Sequence, residues 1–343
     1  MTSSIIFSFS SHSHAHSPNF IRSTFYLNSI LFIIHSLIFS EFRVSPLASV
    51  ADLSSTHCPS YIDRFLKGNQ SDRELRNVGF PWSQQGVNRA LSSVGGTVAA
   101  ATAICDLRRL QILDNINDTE HQDDSTTTHK QPPGQIWAAH LAGGTHHAFH
   151  SRGEGFCIFS DIAVAANVLL LHYPDLIRNI LIIDLDVHQG NGNAVLFEGR
   201  EEVFTFSIQC EENHFSKKET VGDLDIDLPA GCNDATYLAT LNHWLKRIAN
   251  EKKREQRQPF DFIFYQAGVD ILESDRLGRM TLTREGVRRR NDMVFQFATA
   301  MEVPLCITMG GGYPRDTNDW TPILDAHADV YLQALQFLGR RKE

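Results

Sequence analysis

The chain has 343 residues, of which 42% are hydrophobic, and its formal net charge at pH 7 is −9. A chain of this length and composition can bury one large core, and its acidic balance argues against non-specific binding to nucleic acid. Its six cysteines are scattered without a C-x-x-C pair. That pattern is typical of a reducing compartment and argues against a cysteine zinc site.

Residues 1–43 differ in composition from the residues that follow. The first forty contain eleven serines and one basic residue, Arg22, and no acidic residue precedes Glu41. The apolar run over residues 25–40 is shorter than the roughly 20 residues that a membrane-spanning helix needs. Ser-rich, acid-poor N-termini resemble transit peptides. We therefore expect an atypical N-terminal segment, either a targeting peptide or an altered start, ahead of a globular domain over residues 44–343.

Two features precede the regular part of the domain. A long helical pattern begins after Phe80-Pro81-Trp82-Ser83 and continues through Leu107, with Ser83 suited to be its N-cap. Residues 114–135 are polar and almost free of large apolar groups, which predicts an exposed loop.

Short apolar segments then alternate with helical patterns. The alternation predicts an α/β fold with a single, mostly parallel sheet and helices on both faces. On one of these helices, Arg288, Arg289 and Arg290 are expected to be surface charges. The predicted strands are Ile136–His140, Ile180–Asp184, Val203–Ile208, Phe260–Tyr265 and Pro304–Met309, and the predicted helices are Asp161–His172, Asp234–Asn250, Arg284–Met301 and 322–338.

Four of the predicted strands are followed by polar or glycine-rich sequences. Because sites in open α/β sheets form at the carboxyl ends of strands, four such strand ends predict one shared site. The sequences are GTHH (144–147), DLDVHQGNG (184–192), AGVD (267–270) and GGGYP (310–314).

Two aspartates and a histidine from these sequences form a candidate metal site. Asp186, His188 and Asp270 offer two oxygen ligands and one nitrogen ligand, the pattern of a catalytic zinc or ferrous site with an open position. Asp184 is better suited to orient a neighbouring histidine than to bind the metal. A D-x-D-x-H sequence by itself is equally compatible with a polar strand end, and the other strand ends favour the metal site.

The remaining strand ends supply groups for acid–base chemistry. One of the adjacent histidines His146 and His147 can take a proton from a metal-activated water, while the other holds or donates a proton. Tyr313 follows three glycines, which let the backbone approach a substrate, and its hydroxyl can stabilise a developing oxyanion. Taken alone, the histidine pair is also compatible with an exposed loop, and GGGY with a simple turn.

Together these sequences resemble the zinc-dependent histone deacetylases, which have the arginase/deacetylase fold. The resemblance extends from about residue 44 to residue 338, and Gln189-Gly190-Asn191 is most similar to the class IV type. The sequences that carry it are FPWS (80–83), GGT (95–97), GTHHA (144–148), GEGFC (153–157), DLDVHQGNG (184–192), DLDIDLPAG (223–231), AGVD (267–270) and GGGYP (310–314).

The resemblance implies the ligands of two cations. It makes Asp186, His188 and Asp270 the ligands of a Zn²⁺ ion. Asp184 matches the residue that pairs with the first histidine, and together with Ser207 it matches a site where relatives hold a monovalent cation such as K⁺.

The resemblance also implies the catalytic and substrate-binding groups. His147 matches the general base, His146 its partner, and Tyr313 the residue that polarises the scissile carbonyl. Gly155 and Phe156 match part of the channel around the acyl-lysine stem.

Asn191 is a catalytic-site position at which this chain departs from many deacetylases. Those proteins have an aspartate there, behind the second histidine. A neutral amide would stabilise an imidazolium less, which favours a lower pKa for His147.

The implied reaction is hydrolysis of Nε-acyl-lysine, with either acetyl or longer acyl groups. Zinc and His147 activate water, zinc and Tyr313 hold the oxyanion, and a protonated histidine delivers a proton to the departing amine. The implied substrates are acyl-lysine proteins such as histone tails, in a corepressor-type complex and without direct binding of nucleic acid. The implied location is the nucleus or cytoplasm, or a plastid or mitochondrion if residues 1–43 are a transit peptide.

Two other functions stay open from the sequence. An amidohydrolase of acetylated polyamines or other small amides would use the same chemistry, so only its substrates would distinguish it. A catalytically silent interaction subunit is the second alternative. The intact ligands, histidines and Tyr313 argue against it, but residues 1–43 do not match the N-terminal strand, helix and loop of the relatives.

Overall fold

The computed structural model describes residues 4–8, 41–120, 135–214, 221–254 and 259–338. Its strands form one eight-stranded sheet in the order β2-β1-β3-β8-β7-β4-β5-β6, and every pair of neighbours is parallel. The predicted fold class is therefore confirmed. The strands are β1 Ser4–Ser8, β2 Glu41–Val44, β3 Trp137–His140, β4 Ile180–Asp184, β5 Val203–Cys210, β6 Leu224–Leu228, β7 Phe262–Gln266 and β8 Leu305–Thr308.

Helices connect most of these strands. Ser83 caps the longest one as predicted, because its hydroxyl accepts a hydrogen bond from the backbone N–H of Gly86 at 3.0 Å. The helices of the described residues are α1 Val50–Ser54, α2 Pro59–Lys67, α3 Asp72–Val78, α4 Gln84–Glu120, α5 Asp161–His172, α6 Asn191–Leu196, α7 Asp234–Arg254, α8 Arg284–Met301 and α9 Thr321–Leu338.

The central strand β4 shows why both faces of the sheet are covered. Its side chains alternate between two buried clusters: Leu181 and Ile183 face α7, α8 and α9, whereas Ile180 and Ile182 face α4 and α5. Successive side chains of a strand point to opposite faces, so a strand that is apolar throughout must be buried on both. The segment Gln84–Asp114 of α4 is long and apolar enough to cross a membrane. However, 67% of its most apolar stretch is buried inside the protein, as in a core helix.

The sequence predicts a domain boundary after residue 43, but residues on both sides of this boundary belong to the sheet. Strand β1 lies between β2 and β3, with Ile5 opposite Glu41 on one side and Ala138 on the other. Residues 4–8 therefore supply an internal strand of the domain. A targeting role for residues 1–43 stays a prediction, and residues 9–40 lie outside the described part of the chain.

Two sequence predictions differ from the structure. Helix α4 continues to Glu120, so the loop predicted over residues 114–135 begins later, and residues 121–134 lie outside the described residues. The segment from Asp114 to Glu120 contains no Pro or Gly, and helix propagation adds one hydrogen bond for each residue fixed.

Arg290 is the second difference, because it is fully buried instead of exposed. Its guanidinium donates to the backbone carbonyls of Leu185, Ala267 and Gly268. A buried cation is tolerated only when its donors are satisfied. Arg290 thus ties together the segments that follow β4 and β7, where the candidate metal ligands lie.

Candidate metal and acid–base site

The four strands with polar carboxyl ends are consecutive neighbours in the sheet. Their order is β3-β8-β7-β4, so the segments that follow them meet along one edge. The sequence predicted a shared site from the individual strand ends, and the strand order is the feature that brings them together.

The three predicted metal ligands converge at this edge and are buried. His188 Nδ1 lies 3.1 Å from Asp186 Oδ1 and 3.1 Å from Asp270 Oδ2, and the three ligand atoms all lie within 4.8 Å of one another. The second carboxylate oxygens accept hydrogen bonds from backbone N–H groups: Gly311 donates to Asp186 at 2.8 Å, and Val187 donates to Asp270 at 2.9 Å. The other two oxygens, Asp186 Oδ1 and Asp270 Oδ2, face His188 Nδ1 and are placed to bind a cation; Asp186 Oδ1 also accepts a hydrogen bond from the His188 backbone N–H at 3.1 Å.

This geometry fits a zinc ion. Ligands that bind Zn²⁺ at about 2.0–2.1 Å in a tetrahedron lie about 3.3 Å apart, close to the separations of His188 from both carboxylates. Glycine is required beside the ligands, because a Cβ at Gly311 would collide with the Asp270 carboxylate and one at Gly268 with Asp186. Three protein ligands leave a fourth position for a water or a carbonyl oxygen.

The electrostatics of the ligands also favour a cation. Burial alone would lower the pKa of His188, but the carboxylates of Asp186 and Asp270 outweigh it and raise this pKa to about 10. Burial and the charge of Asp186 together raise the pKa of Asp270 to about 7. Two buried carboxylates at this distance repel each other, and positive charge between them relieves that repulsion.

The two adjacent histidines lie beside the metal ligands but have opposite pKa shifts. Their ring centroids are 4.0 Å apart, and both rings are buried. Burial lowers the pKa of His146, but the carboxylates of Asp184 and Asp186 outweigh it and raise the pKa to about 9. Burial and the charges of His146 and His188 hold the pKa of His147 well below its usual value. A neutral His147 next to a charged His146 is the arrangement that separates a base from an acid.

Each histidine is oriented from behind by the residue that the sequence predicted. His146 Nδ1 lies 2.7 Å from Asp184 Oδ2, and His147 Nδ1 lies 2.7 Å from Asn191 Oδ1. Neither Asp184 nor Asn191 lines the cavity of the site. These two residues therefore contact the histidines from outside the cavity.

Replacing Asn191 with aspartate should raise the pKa of His147, because a carboxylate stabilises an imidazolium by about 1–3 pKa units. A general base is inactive below its pKa, so the acidic limb of the kcat/KM profile should move to higher pH by a similar amount. The profile is to be measured on zinc-loaded wild type and Asn191→Asp. An unchanged acidic limb would contradict the assignment of His147 as the base.

A cavity of about 140 Å³ joins these groups, and its mouth carries Phe156. The Phe156 side chain is half-exposed, at 50%, and its ring centroid lies 6.3 Å from that of Tyr313 and 6.4 Å from that of Phe80. Burial and the nearby Asp270 and Asp186 raise the pKa of Tyr313 well above its usual value, so its hydroxyl stays a hydrogen-bond donor. The cavity is lined by Arg89, Gly143, Gly144, Thr145, His146, His147, Gly155, Phe156, Cys157, Asp186, His188, Leu277, Gly310, Gly311 and Tyr313.

The predicted monovalent-cation position has one orphaned polar group. Ser207 stands opposite Asp184 in the pairing of β5 with β4, and its buried hydroxyl has no hydrogen-bond partner among the described residues. A buried polar atom without a partner calls for a water or an ion. The K⁺ site stays a prediction, and Ser207 is the residue that supports it.

Sequence reasoning missed three residues that shape the site. Arg89 lines the cavity from the first turns of α4, and no motif marks it. The carboxylate of Asp275 accepts hydrogen bonds from the backbone N–H groups of Tyr313 and Gly278, which hold the Tyr313 loop. Glu154 accepts a hydrogen bond from the Asn191 amide at 3.0 Å. Its position inside GEGFC was the only signal available for it.

Comparison with known proteins agrees with the fold. Residues 27–326 match the histone deacetylase domain family. An uncharacterized protein of Picosynechococcus is 35% identical over 294 residues, which cover 84% of this chain and 86% of that protein. Histone deacetylase 2 of Arabidopsis thaliana is 31% identical over 184 residues, covering 53% of this chain and 45% of that protein.

A solved structure shows the same fold. The crystal structure of a histone deacetylase homologue complexed with SAHA superposes with a TM-score of 0.67 at 21% identity, covering 99% of this chain and 85% of that one. The chain belongs to the histone deacetylase domain family, whose members are zinc-dependent hydrolases of amide bonds. It spans less than half the length of the named relatives Histone deacetylase 2 and RPD3 of Saccharomyces cerevisiae.

Proposed function

We propose that this protein hydrolyses the amide bond of Nε-acyl-lysine in proteins, with His147 as the general base and Tyr313 as an oxyanion donor. One observation carries the proposal: a single cavity brings together two of the candidate zinc ligands (Asp186 and His188), a pair of histidines with opposed pKa shifts, and Tyr313, behind the half-exposed Phe156. An open channel of this kind suits a long, thin side chain that carries its reactive group at the far end.

A zinc ion held by Asp186, His188 and Asp270 would supply a water of lowered pKa and would polarise a carbonyl oxygen. The protein supplies the proton transfers. His147 is neutral and accepts the proton of the attacking water, whose oxygen bonds to the acyl carbon. When the carbon–nitrogen bond breaks, a protonated histidine gives its proton to the lysine amine, so the products are a carboxylic acid and a free lysine.

Tyr313 and Phe156 orient the substrate in this proposal. The Tyr313 hydroxyl donates a hydrogen bond to the acyl oxygen as negative charge develops on it. Gly155 and Phe156 form a wall beside the aliphatic stem of the lysine. The protein's net charge of −9 suits a Lys-rich tail such as that of a histone.

The test combines zinc analysis with hydrolysis of acetyl-lysine and myristoyl-lysine peptides and of acetylated polyamines. His147→Ala should keep its zinc and lose about 10²- to 10⁴-fold in kcat, the range that a positioned acid or base contributes. The matched control is His243→Ala, which removes an exposed histidine of α7. Bound zinc without His147-dependent turnover of any acyl-lysine peptide would refute the proposal. Turnover of acetylated polyamines alone would show that the substrate is a small amide and not an acyl-lysine protein.

The cell compartment and a corepressor-type complex belong to the same proposal. A nuclear or cytoplasmic location suits acyl-lysine proteins as substrates, whereas a cleavable targeting peptide in residues 1–43 would direct the enzyme to a plastid or mitochondrion. Imaging a C-terminal fluorescent fusion that keeps residues 1–50 distinguishes these locations. Histones co-purifying with the nuclear protein would support the chromatin role, and exclusive organellar fluorescence would contradict it.

A further inference from the structure

The amide of Asn191 makes hydrogen bonds on both of its sides. Its oxygen lies 2.7 Å from His147 Nδ1 and accepts a second hydrogen bond from the Gly192 backbone N–H at 2.9 Å. Its nitrogen donates to Glu154 Oε1 at 3.0 Å. Asn191 therefore connects a carboxylate outside the cavity to the histidine inside it.

The chemistry of these neighbours permits only one orientation of the amide. The oxygen and nitrogen of an asparagine amide have nearly the same shape, so their hydrogen-bond partners must decide which is which. The Glu154 carboxylate only accepts, and the Gly192 N–H only donates. The Gly192 N–H is shared with the backbone carbonyl of His146 at 3.0 Å, so Glu154 is the stronger of the two constraints on the amide. A flipped Asn191 would place its amide oxygen against the Glu154 carboxylate and its NH₂ group against the Gly192 N–H. Both contacts would be unfavourable.

The orientation of Asn191 in turn determines which nitrogen of His147 carries the proton. Because the Asn191 oxygen only accepts, His147 Nδ1 must be the N–H that donates to it. A neutral His147 then has its lone pair on Nε2, where it can accept a proton. With the flipped amide, the donor would face Nδ1, the proton would move to Nε2, and that nitrogen could no longer act as a base.

We propose that Glu154 is a positioning residue: it holds the Asn191 amide in the orientation that gives His147 the tautomer required of the general base. This inference rests on the proposed function, in which His147 is that base. Glu154 does not line the cavity, and its side chain is 25% exposed. Its influence on the reaction therefore passes through Asn191.

The position of Glu154 is set by the loop that also forms the cavity wall. Backbone hydrogen bonds join Glu154 and Cys157 in both directions, at 3.0 and 2.8 Å, and they close a tight turn through Gly155 and Phe156. Arg152 Nε lies 3.8 Å from Glu154 Oε2 on the side of the carboxylate away from Asn191 Nδ2, which contacts Oε1. The turn that presents Phe156 to the substrate thus also presents a carboxylate to Asn191.

The requirement for Glu154 follows from the neutral amide at residue 191. An aspartate there would accept from His147 Nδ1 with either oxygen, whatever its orientation, so it would need no partner to orient it. The proposal therefore predicts that Asn191→Asp makes Glu154 dispensable. A purely structural role for Glu154 makes no such prediction.

Kinetics of four zinc-loaded variants test the proposal. Glu154→Ala should lower kcat by about 10- to 100-fold, as losses of partners that orient active-site groups do, with KM and zinc content unchanged. Glu154→Gln keeps an acceptor oxygen and should stay close to wild type. Glu154→Ala combined with Asn191→Asp should recover most of the lost kcat. Glu198→Ala is the matched control, since it removes an exposed carboxylate just after α6.

Nitrogen-15 NMR of histidine-labelled, zinc-loaded protein without substrate reads the tautomer directly. Wild type should show a protonated Nδ1 and a bare Nε2 for neutral His147, and Glu154→Ala should show a mixture or the reverse. This signal needs no turnover, so it judges Glu154 even if acyl-lysine hydrolysis is absent and the proposed function fails. The proposal is overturned if Glu154→Ala keeps the wild-type tautomer, or if its lost kcat is not recovered by Asn191→Asp.

Discussion

Tyr313→Phe is expected to lower kcat by about 10²- to 10³-fold, the effect of removing one oxyanion donor. In the proposed mechanism the hydroxyl forms its hydrogen bond as charge develops on the acyl oxygen, so KM should change little. The loop should stay in place, because Asp275 holds the backbone N–H of residue 313 and Gly311 donates to Asp186, and neither contact uses the phenol. Zinc content should equal that of wild type.

Steady-state kinetics with an acetyl-lysine peptide, together with metal analysis, measure this effect. Tyr173→Phe is the matched control, since its hydroxyl contacts Asp106 and not the cavity. A kcat for Tyr313→Phe within about threefold of wild type would show that the tyrosine does not stabilise the transition state. A rise in KM with unchanged kcat would indicate substrate binding instead.

Asp270→Asn is expected to abolish zinc binding at wild-type affinity, and activity with it. The amide keeps the shape of the side chain but removes one of the two negative charges that balance the cation. Zinc binds the folded protein and so stabilises it, by about 4 kcal/mol at a free concentration a thousand times its Kd. The variant should gain much less stability from the same zinc.

Metal analysis measures the zinc content, and denaturant unfolding with and without added zinc measures how much the zinc stabilises each protein. Asp63→Asn is the control, because Asp63 is an exposed carboxylate paired with Lys67 on α2 and lies outside the site. Equal zinc content and equal stabilisation in Asp270→Asn and wild type would remove Asp270 from the ligand set. The quantity to compare is the gain in the free energy of unfolding on adding zinc, measured separately for the variant and for wild type.

Local patterns predicted the framework of this molecule well. Helices Asp161–His172 and Arg284–Met301 and strand Ile180–Asp184 begin and end at the predicted residues, because strong apolar patterns and capping residues act within a few positions. The predictions were weaker where no local signal exists. The strand Ser4–Ser8 lies in a segment of unusual composition and is defined by its pairing with two distant segments.

The sequence by itself determined the chemistry of the site. Ligand types, the adjacent histidines and the glycines before Tyr313 can be read along the chain, because each motif follows a strand whose direction determines where its residues lie. Only the tertiary structure decided which partners these groups have. It showed that the buried Arg290 donates hydrogen bonds to three backbone carbonyls. It also showed that Glu154 accepts a hydrogen bond from Asn191, 37 positions further along the chain. Hydrogen bonds and burial depend on neighbours in space, and a polar residue carries no local mark of the partner that it will meet.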